Sequence, residues 1–301
     1  GADVEELVSP FGQAVDLNAL ETRLKADKDK QIKAVLVTHN ETSTSVLNPL
    51  EEIAKLVKAH ETLLVVDAIS GLISTDLPVD KWQLDVVVGG AQKAFMIPPG
   101  LAFVSMSEQA WEAYKHSKMP KFNFDLQFYK EKRVKGQSPW TPPISLFYGL
   151  RESLKLLKEE GLENVFKRHY QMMKASRAGL QALGCKLLVT DESIASRAVT
   201  AAYPPEGISA DDLRKAVLEQ FNIVLAGGQL SLEGKIFRIG HLGYQGMPNI
   251  YSVLTALEVG LATMHINKGA MITGLVGMAI AKAALVAGFY MHLKHETPVL
   301  R

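Results

Sequence analysis

The sequence predicts an α/β protein built on a mostly parallel sheet. Three observations carry that expectation. Valine-rich apolar runs recur at "IKAVLVTH" (32–39), "TLLVVD" (62–67) and "LDVVVGG" (84–90). They are continuous rather than alternating, as strands covered on both faces are. Between the first two lies "LEEIAKLVKAH", with Leu50, Ile53, Leu56 and Val57 at helical spacing, so strand and helix alternate. Finally, 301 residues, 47% of them hydrophobic and 22% charged, suffice for one large domain or two smaller ones.

The elements follow in order. "GADVEELVSP" has neither the basic start nor the apolar centre of a signal peptide. After the first strand, "NETSTSVLNP" is a loop, and Asn48 and Pro49 read as N-cap and first residue of the helix that follows. Past the third strand come Gln92 and Lys93, then "GLAFVSM" and a polar aromatic stretch. Thr141 stands next to prolines that stiffen its loop. One long helix is expected from about Ile144 to Lys174. A smaller α/β unit follows, with strands at "CKLLVT", "AVTAAYPP", "FNIVLAGG" and "KIFRIGHLG", a helix capped by Ser209, and another from about Pro248. This divides the chain into a large domain (1–150), a small domain with its linking helix (151–264) and an apolar tail (265–301).

Composition removes several functions. The formal net charge is +1, with no basic excess, so no nucleic-acid partner is expected. The single cysteine, Cys185, cannot form an intrachain disulfide, which fits a reducing compartment. It sits at the start of a strand and reads as a plain buried thiol. A metal site of His39, Glu41 and Asp67 lacks a second histidine at ligand spacing, so no metal is expected.

In parallel sheets, ligands sit outside the carboxyl ends of the strands. Three groups stand there: the "THNETST" loop, Asp67 and Lys93. A lysine amine becomes a nucleophile when desolvation or a neighbouring cation lowers its pKa, and the small residues before Lys93 leave room for a flat ligand. The common chemistry of such a lysine is a Schiff base with a carbonyl substrate or with pyridoxal 5'-phosphate (PLP). A PLP ring also needs a carboxylate to keep its nitrogen protonated, and Asp67 is placed for that.

"LDVVVGGAQKAFMIPPGLA", "VTHNETSTSVLNP", "LLVVDAIS" and "GKIFRIGHLG" resemble, in order and spacing, the sequence blocks of the class V, fold-type I PLP aminotransferases. The serine–glyoxylate and alanine–glyoxylate branch is the nearest, and the resemblance covers residues 1 to about 263. It implies the PLP-transferase fold and transamination between a small amino acid and a 2-oxo acid such as glyoxylate. It also implies that Lys93 holds PLP and shuttles the proton, that Asp67 pairs with the ring nitrogen, and that Gln92 with Thr42 or Ser43 hydrogen-bonds the cofactor. Thr141 would reach the phosphate of a neighbouring subunit's PLP, Arg238 would clamp the substrate carboxylate, and the protein would be a homodimer in the cytoplasm. A lyase-type class V activity is the alternative within the fold. Ser45 and Ala91 depart from the family pattern, standing where it usually has glycine and often has serine. The family's phosphate-binding turn and ring-stacking residue lie upstream of the region matched by Gly1. The expectation is therefore an N-terminally truncated chain with impaired transamination.

The tail is a separate matter. Residues 271–293 are apolar but for Lys282 and long enough to span hydrocarbon. Ala279, Ala283 and Ala287 would form a packing face. "AKAALVAGFYMHLKHE" resembles the last transmembrane helix of bacterial cytochrome c oxidase subunit IV. This implies membrane contact through 271–293, with His292 and His295 interfacial. It leaves open a membrane-tethered, non-catalytic fragment associated with a respiratory complex.

Overall fold

In the computed structural model, which describes residues 2–264 and 276–280, Asp16 starts the first helix. Its carboxylate accepts from the amides of Asn18 and Ala19, and α1 runs Leu17–Ala26. Then come β1 (Ala34–Thr38), the short β2 (Asn40–Glu41) and β3 (Val46–Leu47), α2 (Leu50–Ala59), β4 (Leu63–Asp67), β5 (Val86–Gly90) and β6 (Ala102–Met106). Helices α3 (Glu108–Lys115), α4 (Leu126–Val134), α5 (Ile144–Glu160) and α6 (Leu162–Ala182) follow. The remaining elements are β7 (Lys186–Leu187), β8 (Val199–Tyr203), α7 (Ala210–Phe221), β9 (Ala226–Gly227), β10 (Phe237–Gly240) and α8 (Met247–Thr263). These residues form two compact units: residues 1–41 with 47–166, and residues 42–46 with those after 166.

In unit 1 the sheet order is β1-β4-β5-β6. The first three strands are parallel, with Thr38 opposite Asp67 and Asp67 opposite Val88. β6 returns antiparallel. Leu64, Val66 and Val87 bury one face under α1 and α2. α2 meets them with Leu50, Ile53, Ala54 and Val57, a stripe at i, i+3, i+4 and i+7. Burying each such large apolar side chain contributes about 1.5–3 kcal/mol. The expectation that both sheet faces are covered fails on the other side, where Leu36 is 75% exposed.

Two local expectations also change. Asn48 does not cap α2. Its Oδ1 accepts from the Val15 amide and its Nδ2 donates to the Thr38 carbonyl, so it ties the end of β1 to the segment before α1. The helix expected from 144 to 174 is two helices, broken at Gly161, whose φ of 81° ends α5. Only glycine adopts that conformation cheaply. α5 belongs to unit 1, where Ser153 Oγ donates to the Phe95 carbonyl and Leu157 packs on Phe95.

Unit 2 is an antiparallel sheet in the order β7-β8-β10-β9. Its core joins Met172 and Leu180 of α6, Leu213 and Val217 of α7, and Leu254 and Leu257 of α8. Ser209 caps α7 as expected, its Oγ accepting from the Asp212 amide. Gly179 lets α6 meet α8, since a Cβ there would lie 2.4 Å from Leu254. Cys185 is buried, and burial pushes its thiol up to about 12. It is therefore no thiolate nucleophile at neutral pH. Residues 271–275 and 281–293 of the apolar tail lie outside the described residues. No helix among those described is long and apolar enough to cross a membrane.

Candidate active site

In unit 1 the carboxyl ends of β1, β4 and β5 carry His39, Asp67 and the Gly89–Lys93 segment. Parallel register places them side by side. Asp67, half-buried, ends β4: its Oδ1 accepts from the Ile69 amide at 2.8 Å, and its carbonyl accepts from the His39 amide at 2.8 Å. Ala68 N–H then reaches the Val88 carbonyl of β5. The carboxylate is thus fixed by its own turn and by both neighbouring strands.

Lys93 lies three residues past β5, in a turn closed by Met96 N–H on the Lys93 carbonyl. Ala91 and Ala94 on either side are fully buried, which anchors the backbone while the lysine side chain is only half-buried. Among the described residues its ammonium makes no ion pair. The small residues before it serve packing rather than open space. A Cβ on Gly89 would lie 2.8 Å from Leu72, and one on Gly90 would lie 2.9 Å from Gln92 Oε1. Gln92 itself is exposed, with its amide folded back over Gly90.

Sequence reasoning missed how the loop after β4 is held. Ser70 Oγ donates to the Asn40 carbonyl and accepts from Asn40 Nδ2. Gly71 lies against the buried His39 ring, where a Cβ would come within 2.6 Å of Nδ1. The hydroxyl of "DAIS" and the amide of "THNE" were the available signal. Thr141 is exposed, ahead of α5, and no hydrogen bond joins it to Asp67 or Lys93 among the described residues. Among those residues no cluster of His, Cys, Asp and Glu could hold a metal.

Unit 2 carries the other residues. Arg238, in the middle strand β10 opposite Ala201 of β8, is nearly buried. Its Nε donates to the Gly227 carbonyl and its Nη1 to the Thr42 carbonyl, both at 2.8 Å. Two donors of the guanidinium fork are therefore committed to backbone, which fixes its plane. Thr42 and Ser43 are half-buried, and Thr44 and Ser45 are buried. Ser45, the residue standing where glycine is usual, has φ of 63°, in the left-handed region that costs a non-glycine residue roughly 1–2 kcal/mol. Its Oγ is buried without a hydrogen-bond partner among the described residues. Ser45→Gly is expected to raise the stability of the protein by about 1 kcal/mol, after allowing for glycine's freer unfolded chain. Urea unfolding checks this, and a lowered midpoint would show that the serine side chain contributes packing that outweighs the strain.

His241 follows β10 and is fully buried. Burial, reinforced by the nearby His169, holds its pKa down at about 3. The neutral ring lies 3.1 Å from the Arg197 carbonyl through Nδ1 and 2.8 Å from Thr200 Oγ1 through Nε2. A carbonyl only accepts, so Nδ1 carries the hydrogen and the Thr200 hydroxyl donates to Nε2.

The family model described as aminotransferase class-V matches residues 1–247. A second, prokaryotic cytochrome c oxidase subunit IV, matches residues 250–301, a stretch that begins inside α8. The soluble hydrogenase small subunit of Synechococcus sp. is 46% identical over 88% of this chain and 68% of its own length. The serine–glyoxylate aminotransferase of Arabidopsis thaliana is 35% identical, over 99% of this chain and 72% of its own. Among solved structures, the alanine–glyoxylate aminotransferase of Nostoc sp. aligns with a TM-score of 0.80 at 29% identity, covering 87% of this chain and 69% of the other.

Proposed function

This chain belongs to the class-V aminotransferases, PLP-dependent enzymes, and from that membership we propose that it transfers an amino group between a small amino acid of the alanine or serine type and a 2-oxo acid such as glyoxylate. The observation that carries the reading is the placement of Asp67 and Lys93 at the ends of adjacent parallel strands. The names of the relatives support the choice of acceptor. A lyase-type class V reaction is the alternative.

The residues fit the cofactor. Lys93 offers a primary amine with no ion pair among the described residues, on a backbone anchored by buried alanines. Asp67 offers a carboxylate with one oxygen already fixed by Ile69, the acid–base partner a pyridine nitrogen requires. When bound, PLP supplies an electron sink for the pair released when the substrate Cα–H bond breaks. Lys93 Nζ would hold the cofactor and, once the substrate amine takes its place, would accept the proton released at the substrate Cα and donate it in turn. Asp67 keeps the ring nitrogen protonated. Gln92 and Thr42 or Ser43 hydrogen-bond the cofactor. Arg238 receives the substrate carboxylate, a match of planar fork to planar anion. Thr141 serves the phosphate of a partner subunit in a homodimer. Exposed Phe122, Phe124, Ile144 and Tyr148 of unit 1 support an apolar contact surface there. Unit 1 is then the larger, cofactor-carrying domain and unit 2 the smaller one, with the boundary after 166 rather than 150. The location is cytoplasmic, and the match at 250–301 keeps a membrane contact through 271–293 within the proposal.

The test is reduction with borohydride after addition of PLP, followed by peptide mapping and an assay of glyoxylate amination by alanine and by serine. A pyridoxyl group on Lys93 with glycine formed is the expected result. Label scattered over surface lysines, with no glycine, would reject the reading. Arg238→Lys is expected to raise KM for both substrates by about 10–100-fold, the effect of losing a bidentate contact.

A further inference from the structure

One turn, residues 195–198, touches both functional parts of unit 2. On one side, Ser196 N–H donates to the Ser45 carbonyl at 2.9 Å, and Ala195 bridges to Val46. That fixes the strained loop 42–46. On the other side, the turn receives His241 twice: its amide on the Ala198 carbonyl at 2.9 Å and its Nδ1 on the Arg197 carbonyl at 3.1 Å. His241 ends the strand that carries Arg238. The turn is itself tied by Ser196 Oγ, which accepts from the amides of Ala198 and Val199. Ser196, Ala198 and His241 are all essentially buried.

The circuit closes through Arg238, whose Nη1 returns to the Thr42 carbonyl. It therefore runs from loop 42–46 to the turn at 196, from the turn to His241, along β10 to Arg238 and back to Thr42. Every link is a hydrogen bond or a stretch of strand, and Ser196, Ala198, Arg238 and His241 along it are buried. β10 is further pinned beyond His241, where Gly243 N–H donates to His169 Nε2 and Arg168 donates to the Gly243 and Gln245 carbonyls. A displacement of the turn cannot move the loop without moving the end of β10, because both hang on four consecutive residues.

We propose that His241 and Ser196 are positioning residues that set loop 42–46 and the Arg238 guanidinium as one body, so that the protein's grip on PLP and its grip on the substrate carboxylate are coupled. The inference rests on the roles given above to Thr42, Ser43 and Arg238. Neither residue touches substrate or cofactor. Both act through the backbone carbonyls and amides of the turn.

The bond from His241 Nδ1 to Arg197 is the testable link. Asparagine presents an amide N–H near the Nδ1 position, whereas glutamine reaches the Nε2 position and abandons the Arg197 carbonyl. In His241→Gln the PLP dissociation constant, read by absorbance titration of the cofactor-free protein, is expected to rise about 5–10-fold, within the range of coupled neighbours. KM for both substrates is expected to rise by a similar factor with kcat within about 2-fold, the pattern of lost ground-state positioning. His241→Asn is expected to restore all three values to within about 2-fold of the parent. In an Arg238→Lys background, His241→Gln is expected to add less than about 2-fold to KM, because the group it positions is gone.

An unchanged PLP dissociation constant in His241→Gln, equal behaviour of Gln and Asn, or full additivity with Arg238→Lys would overturn the inference. If Arg238→Lys leaves KM unchanged, the carboxylate role of Arg238 fails. The PLP titration then decides the coupling by itself. Should His241→Gln not fold, Ser196→Ala removes only the hydroxyl that braces the turn. It is expected to raise the PLP dissociation constant about 3-fold, and no change would overturn the inference equally.

Discussion

Replacing Lys93 with alanine is expected to slow amino transfer about 10⁴-fold, the upper end of what one general acid–base group supplies and equivalent to about 5.5 kcal/mol of barrier. The expectation follows from the site. Among the described residues of unit 1, Lys93 is the amine at the strand ends beside Asp67. The buried flanking alanines hold the backbone in place when the side chain is removed, so the loss is chemical rather than structural. Single-turnover conversion of alanine by PLP-loaded protein is the measurement, with PLP retention and thermal unfolding as controls. A rate within 10-fold of the parent would assign the proton to another group. Lys93→Arg separates charge from proton transfer, because guanidinium keeps its proton throughout the working range. It is expected to be as slow as alanine.

The second large effect is on stability. His241 is held neutral in the fold, with its pKa down at about 3 because it is buried. In the unfolded chain it titrates at about 6.5. Between those values the unfolded state binds the extra proton, so stability rises with pH across the window and falls as pH drops from 6.5 toward 3. The loss accumulates at about 1.4 kcal/mol per pH unit, to no more than about 5 kcal/mol at the bottom of the window. That is of the order of a domain's whole stability. Unit 2 is therefore expected to weaken from pH 6.5 downward. Asp27 in unit 1 behaves differently. Amide hydrogen bonds, first from Ile32, hold it at about 2 against opposing desolvation. Its contribution is present above pH 4 and lost only between about 4 and 2. Urea unfolding from pH 8 to 4, followed by a probe in each unit, should show unit 2 responding first. In His241→Asn the slope between pH 6.5 and 4 should flatten. An unaltered slope would place the acid sensitivity elsewhere.

Much of this was legible locally, and the limits are instructive. The three valine-rich runs marked the parallel strands because continuous apolarity over five residues is the pattern of such strands, although the face that carries Leu36 is open here. Asp67 and Lys93 were legible because strand ends are where such a sheet presents chemistry. The stripe of α2 and the Ser209 cap were equally local. Asn48 misled because an Asn–Pro pair before a helix is a good cap signal, while its actual partners, Val15 and Thr38, lie 33 and 10 residues away. Gly161 was read through because helical spacing continues on both sides of it. Gly89 and Gly90 suggested open space, and only the structure shows the leucine and glutamine that fill it. Ser45 was noticed as a departure, but its positive φ explains why glycine suits the position. The bond from Arg238 to Thr42 spans 196 residues, and no local pattern encodes a partner that distant.

The segment 42–46 has a consequence for synthesis. It lies early in the chain but belongs with residues beyond 166, and its anchor at Ser196 follows it by about 150 residues. At the usual 5–20 residues per second, the ribosome needs roughly 8–30 s to deliver that anchor. During that interval Ser45 has no reason to adopt a left-handed backbone, and the valines on either side of the loop can form the sheet of unit 1 without it. The nascent chain must therefore carry this loop out undocked, as a loose stitch. It is drawn tight only when the second unit closes around it.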